Sequence, residues 1–367
     1  MSPSILTPRA LNRALLDRQW LLRRTDRSVA EVVEHLCGLQ AQLGDPPYYQ
    51  LWSRIHGFQP DDLSRLLLDR EVVRVVLMRG TIHLVTARDC MSMRAAVQPY
   101  LTRTLFIGST FGKRIAGIDA DELADAATRL LADGPLTNDE LAQRLEKSWP
   151  DYDGGDLAYG ARGLIPLVQV PPRGVWGRGG PLTYATATQW LDTESVEPAV
   201  PDLVLRYLAA FGPASVADFQ KWSALTRTAP VFDSLRDRLT VYQDQNGREL
   251  FDVAGTVLPD PDTPVPVTLV GPFDNLLLGH ADKSRIISKG HEKRVFGPNA
   301  IIRGTYLVDG EVAGAWKVDR SRKSRVRMII ERFTPLSDRH TDELVHRAEE
   351  LLEFAAGDVP QRDLAFT

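Results

Sequence analysis

The sequence carries only two cysteines, Cys37 and Cys90, in 367 residues. That excludes a disulfide-stapled secreted scaffold, and the two lie too far apart to read as a metal-binding pair. Both sit in apolar, helical-looking stretches, which fits a reducing compartment. No apolar run approaches the ~20 residues of a membrane span. No basic-flanked apolar segment stands near the start, so a soluble, cytoplasmic protein is expected. Positive charge is not in excess either: 44 Lys and Arg face 48 Asp and Glu, a formal net charge of -4. Any nucleic-acid surface must then be a local patch on a mildly acidic body. No P-loop, dinucleotide fingerprint or catalytic triad is present. His35, His56, His83, His280, His291, His340 and His346 make no convincing metal set, so neither metal nor cofactor is expected.

What is there is an ordinary globular composition, 43% hydrophobic and 25% charged. The chain is long enough for two or three domains. Residues 7–115 read as mostly helical. Thr7-Pro8 opens a helix over 9–22, and Val29 to Gln40 gives a second. A short helix is expected from Asp61 to Leu68. Val72–Met78 and Thr81–Val85 read as a strand pair turning at Gly80.

The middle of the chain contains an internal echo. Gly134-Pro135-Leu136-Thr137-Asn138-Asp139-Glu140 resembles Gly212-Pro213-Ala214-Ser215-Val216-Ala217-Asp218. Each has a helix before it, a Gly-Pro break, and a Thr or Ser with an acid three residues on, the pattern of a capping box. Helix, turn and second helix follow, as in helix-turn-helix proteins. Strands at 164–170 and 175–178 supply a wing after the first copy. Strands at 239–243 and 249–253, joined through Asn246-Gly247, supply one after the second. The economical reading is α+β: tandem winged-helix domains at 119–195 and 196–256 forming a concave surface. An N-terminal domain at 1–118 has room for a third, less regular unit. A prolyl stretch from Pro259 leads into a C-terminal β-rich domain, 257–367, with a closing helix over 338–354 and loose last residues.

Four groups of residues can carry chemistry. Gln40 and Gln42 are two apart and share no face of a regular helix, but a helix end near Gly44-Asp45-Pro46-Pro47 lets them converge. Their amides can place a water beside a leaving group, or simply end a helix in polar residues. Arg79 and His83 flank a turn. They can hold a phosphate and contact DNA or orient Gln42, or they can pair internally. Lys317, Arg320, Arg322, Lys323, Arg325 and Arg327 form a basic hairpin suited to a phosphate backbone, with Asp319–Ser324 as its loop. Lys283, Arg285, Lys289, Lys293 and Arg294 form a second basic set. Either run can also be a solvated face. The helices after the two Gly-Pro breaks carry Asp139, Glu140, Glu146 and Asp218, not the Arg, Lys, Asn and Gln of a base reader. That favours scaffold over recognition.

Four segments together resemble a known family: Leu39-Gln40-Ala41-Gln42, Arg79-Gly80-Thr81-Ile82-His83, Gly271-Pro272-Phe273-Asp274-Asn275-Leu276-Leu277, and Val308-Asp309-Gly310-Glu311-Val312-Ala313-Gly314-Ala315-Trp316. Their order and spacing resemble the winged-helix DNA glycosylases over nearly the whole chain. The resemblance implies a monofunctional glycosylase releasing N7-alkylated purines, including antibiotic-derived, azinomycin-type interstrand crosslinks. Gln40 and Gln42 match that branch's paired glutamines; a related branch has aspartate at the second position. The implied partner is double-stranded DNA carrying alkylated purines or crosslinks, bound by a monomer. The other readings are a non-catalytic winged-helix DNA-binding protein or transcription regulator, and a protein-interaction module.

Overall fold

The computed structural model describes residues 3–194, 196–322 and 324–367. Ser4–Leu6 forms β1. A first unit contains the helices Val29–His35, Pro46–Trp52 and Pro60–Leu68, with strands Leu39–Gln40 (β2), Val72–Val76 (β3) and Ile82–Thr86 (β4). The 22-residue helix Ala87–Gly108 leads out of it. A second unit follows with helices Ala120–Leu131, Asn138–Ser148 and Gly154–Leu164, and strands Leu136–Thr137 (β5), Leu167–Gln169 (β6) and Thr183–Thr186 (β7). The third has helices Val200–Phe211, Val216–Ser223 and Ala229–Ser234 and the hairpin Leu239–Asp244 (β8) and Glu249–Val253 (β9).

The strand order is that of a winged helix in each unit. A short strand preceding the last two helices pairs with the second strand of the hairpin, giving β2–β4–β3 and β5–β7–β6. In the third unit the same place is taken by a single bridge, Ala214 to Phe251 of β9. The first two units join edge to edge, with Arg74 opposite Gln169 and Val75 opposite Val168, so that β3 and β6 complete one six-stranded sheet. The matching edge of the third unit, β8, is covered by β1 running parallel to it. All three hairpin edges are therefore paired, which removes an open template for aggregation.

Capping chemistry sets these helices. Ser28 with Glu31, Thr137 with Glu140 and Ser215 with Asp218 each form a reciprocal capping box, two of them at the Gly-Pro echoes. The C-terminal domain is a five-stranded sheet of Thr268–Val270 (β10), Gly304–Val308 (β11), Glu311–Arg322 (β12), Arg325–Arg332 (β13) and Gln361–Phe366 (β14), with the helix Asp338–Ala356 against it. One apolar core runs through the first and third units and this domain, while the second unit has a core of its own around Leu123, Leu141 and Leu157.

Four expectations are corrected. The helix from Val29 stops at His35, because Cys37 and Gly38 both take positive φ, 54° and 86°. Gly38 has no alternative, since a Cβ there would lie 2.7 Å from Val85 Cγ1. The reversal turns Leu39 and Gln40 into a strand. Residues 175–178 make turns rather than a strand, because Gly174 and Gly177 are left-handed, and the wing closes with β7 instead. Asp319–Arg322 extends β12 and is not loop. The last residues are not loose: β14 pairs parallel with β13 from Gln361 to Phe366.

Two buried ion pairs tie together segments far apart in the chain: the first unit to the C-terminal domain, and the helix Pro8–Arg18 to the third unit. Arg54 donates to both carboxylate oxygens of Asp274 at 2.8 and 2.7 Å, with both side chains fully buried. Arg18 does the same to Asp252 at 2.8 and 2.6 Å. Removing one partner strands the other charge in the core. Arg54→Met is expected to lower unfolding stability in urea by about 3–5 kcal/mol, with much of the loss recovered in Arg54→Met/Asp274→Leu. A loss under about 1 kcal/mol for the single variant would show the pair to be dispensable.

Candidate functional site

The site is built on β2. Its residue Gln40 lies opposite His83 of β4, and Ala41 N continues the ladder by donating to Ile82 O at 2.7 Å. One residue on, the side chain of Gln42 takes over: Ile82 N donates to Gln42 Oε1 at 3.2 Å. The glutamine amide thus replaces the next peptide of the strand. Gln40 is buried and Gln42 exposed, so the pair runs from the interior to the surface.

Arg79 stands behind Gln40. It sits in the left-handed region, at φ 58°, which turns its side chain back across the sheet. Its guanidinium donates to Gln40 Oε1 at 2.9 Å, to His83 Nε2 at 3.4 Å, and to the Trp222 carbonyl in the third unit. No carboxylate forms an ion pair with it among the described residues. Desolvation of the half-buried guanidinium, with no counter-ion among the described residues, lowers its pKa to about 10.

His83 is 1% exposed. Its Nδ1 lies 3.0 Å from Thr81 O, which can only accept, so Nδ1 carries the proton and Nε2 is the acceptor for Arg79. Burial, and then the Arg79 charge, depress its pKa to about 3. The imidazole is neutral. The roles expected from sequence, phosphate ligand for Arg79 and DNA contact for His83, do not follow from this geometry. Arg79 is half-buried and its guanidinium is spent on neutral acceptors, and His83 presents no surface.

Other residues hold the segment that carries the glutamines. Arg74, 2% exposed in the middle of β3, donates to Ala41 O at 2.8 Å and Leu43 O at 3.3 Å, bracketing Gln42. Its Nε and one terminal nitrogen have no hydrogen-bond partner among the described residues. Asn275 Nδ2 donates to Gly38 O at 2.7 Å and Leu36 O at 3.2 Å, just before β2. Gln50 Nε2 donates to Gln40 O at 3.2 Å and to Pro272 O at 3.0 Å. The Gly271–Leu277 segment is thus a brace for the strand that bears Gln40. Arg74 and Gln50 were missed from sequence. A lone arginine inside Val72-Val73-Arg74-Val75-Val76 was the available signal, since a charge amid a buried strand needs a reason. Leu43, next to Gln42, leaves 58% of its surface exposed.

The basic hairpin lies along β12 and β13. Beyond Trp316, β12 pairs with β13 alone, and Lys317 and Arg320 are exposed on that stretch. Arg320 donates to the Ala355 carbonyl, and Arg325 pairs with Asp363. Arg322 ends β12, and Lys323 lies outside the described residues. The Arg320 charge reaches Asp45 and Tyr49, so the hairpin base stands near the loop after Gln42. In the second basic set, Arg285 is buried and donates to Pro213 O at 3.0 Å, while Arg294 pairs with Glu331 at 2.7 Å. Among the described residues no cluster of three or more His, Cys, Asp or Glu side chains could hold a metal. Cys37 and Cys90 are free and buried, their thiols pushed up to about 12 by burial. Among the described residues no helix is long and apolar enough to cross a membrane.

Recurring winged-helix units with a β-rich C-terminal domain define an α+β winged-helix protein. The chain belongs to the DNA glycosylase AlkZ-like family, whose model matches residues 33–354. It is similar to an interstrand DNA cross-link repair glycosylase of Streptomyces sahachiroi, with 28% identity over 333 residues, 83% of this chain and 85% of that one. Its fold matches the solved structure of the Streptomyces sahachiroi DNA glycosylase AlkZ with a TM-score of 0.79 at 23% identity, covering 99% of this chain and 100% of that one.

The neutral His83 makes a testable link to pH. Its folded pKa of about 3 lies below the ordinary 6.5, so the unfolded chain binds the extra proton as pH falls. Stability is full above about pH 6.5 and is lost between there and about pH 3. In His83→Gln the drop in stability from about pH 7.5 to about pH 4.5 should shrink by about 2–3 kcal/mol. Parallel pH curves for the two proteins would contradict a buried neutral imidazole.

Proposed function

We propose that this protein is a monofunctional DNA glycosylase that hydrolyses the N-glycosidic bond of N7-alkylated purines, azinomycin-type interstrand crosslinks among them. The observation that carries the reading is the pair of neutral amides on one braced segment, Gln40 buried at the end of β2 and Gln42 at the surface just beyond it, in a chain of this family. Alkylation at N7 makes the base cationic, so its departure needs little protonation. The C1′–N9 bond breaks and its electron pair returns to the ring, which cancels the charge. A water oxygen forms the new bond to C1′ and its proton passes to solvent. The products are the free alkylated base and an abasic site. The scheme needs no amine nucleophile.

Gln42 is the residue assigned to the water. Its carbonyl has a second lone pair beyond the one engaged by Ile82 N, and a fixed dipole beside C1′ favours the developing oxocarbenium. A neutral amide is a weak base, which suits a leaving group that is already activated and limits the enzyme to such substrates. Lys317, Arg320, Arg322, Lys323 and Arg325 are assigned to the phosphate backbone, with Arg79 and His83 acting behind the glutamines rather than on the duplex. The body is proposed to act as a monomer.

The test is single-turnover release of 7-methylguanine from a duplex, read as free base and as alkali-labile abasic sites. Gln42→Ala is expected to slow release by roughly 10²-fold or more while duplex binding holds. A variant rate equal to wild type removes Gln42 from the chemistry. Tight binding of intact duplex with no base released by the wild type supports the non-catalytic winged-helix reading instead.

A further inference from the structure

The orientations of the two glutamine amides are fixed by chemistry. Arg79 and the Ile82 amide can only donate, so the groups facing them must be the carbonyl oxygens of Gln40 and Gln42. Flipping either amide would set NH2 against N–H. For Gln40 the consequence is sharp. Its Oε1 faces a guanidinium at 2.9 Å, and its Nε2 donates to no acceptor among the described residues. What Gln40 has left to offer is a pair of N–H groups, on an amide polarised by a cation at its oxygen.

We infer that Gln40 is a hydrogen-bond donor to the departing purine, at ring N3, with Arg79 as the positioning residue that holds and polarises its amide. The inference rests on the glycosylase reading above and divides the labour of the pair: Gln42 serves the water, Gln40 the leaving base. An N7-alkylated guanine has its N7 blocked. Its remaining in-plane acceptors are N3 and O6, and N3 is the one beside the glycosidic bond. The electron pair released when C1′–N9 breaks enters the ring system that contains N3. A donor there binds more strongly in the transition state than in the ground state, which is the requirement for catalysis. N3 lies on the minor-groove edge of a base pair, so Gln40 would meet the lesion from the side opposite its alkyl group.

The test pairs protein and substrate variants. Wild type, Gln40→Met and Gln40→Glu are each given duplexes carrying 7-methylguanine or its 3-deaza analogue, in which C–H replaces N3. On 7-methylguanine both variants should release base roughly 10²-fold more slowly, the scale of losing one preorganised donor. Gln40→Glu keeps an oxygen for Arg79 and so keeps the fold, but presents an acceptor in place of the donor. On the 3-deaza analogue wild type and Gln40→Met should come within about threefold of each other, because the contact is gone from the substrate. A Gln40→Met penalty of equal size on both substrates would overturn the inference, and so would a Gln40→Glu rate equal to wild type on 7-methylguanine. Comparing two substrates within one variant cancels any loss of folded protein. A wild type that releases neither base sinks the glycosylase reading itself, a result distinct from either of those.

Discussion

The arrangement depends on one half-buried cation with no carboxylate partner among the described residues. Arg79 is held by three neutral acceptors drawn from two units: Gln40 and His83 on neighbouring strands of the first, and the Trp222 carbonyl at the end of a helix of the third. A carboxylate here would satisfy the charge more strongly, but would also cancel it. Neutral acceptors leave the positive charge to act on the Gln40 amide. They also explain the histidine. An imidazolium could not accept from Arg79, so the cation and the neutral His83 require each other. Arg74 repeats the pattern on the other side of the strand, where carbonyls of Ala41 and Leu43 are its acceptors. Two guanidiniums with no ion-pair partner among the described residues stand behind one loop, a local concentration of positive charge in a protein of net charge -4.

The edges of the winged-helix hairpins have a structural use. In the first two units they pair with each other through β3 and β6, and in the third the edge accepts β1. The acidic helices after the Gly-Pro breaks are consistent with the same division, since Asp218 is spent on its capping box and on Ala281 N at 2.9 Å. The exposed basic stretch of β12 lies instead on the C-terminal sheet, where it pairs on one side only. Charge on such an edge also blocks edge-to-edge aggregation, so its basic residues have a structural reason to exist beside the functional one.

Much of this was legible in the sequence. The capping boxes at Thr137 and Ser215 and the Asn246-Gly247 hairpin are local signals, read from a few residues whose chemistry acts over short distance. The α+β class and the family followed from those and from the order and spacing of four segments, from Leu39-Gln40-Ala41-Gln42 to the Val308–Trp316 stretch. The site was legible only in part. Gln40 and Gln42 stood out, but their placement did not, because helical periodicity continues past His35 and only the left-handed Cys37-Gly38 pair ends it. Arg79 and His83 were noticed, but not the partners they take: a sequence shows that a cation is present, not which carbonyls the fold brings to it. Arg74, Gln50 and Trp222 act through contacts 10 to 143 residues apart in the chain, a separation at which no local pattern survives.

The central claim is that Arg79 couples the strand bearing Gln40 to the last turn of the helix Val216–Ser223, through the Trp222 carbonyl. Amide hydrogen exchange in Arg79→Met tests it without any substrate. Exchange at the Ala41 and Ile82 amides and at those of Trp222–Ala224 should accelerate together, by about tenfold or more, while amides of the second unit's separate core keep their wild-type protection. Acceleration on one side alone, or on neither, would contradict it.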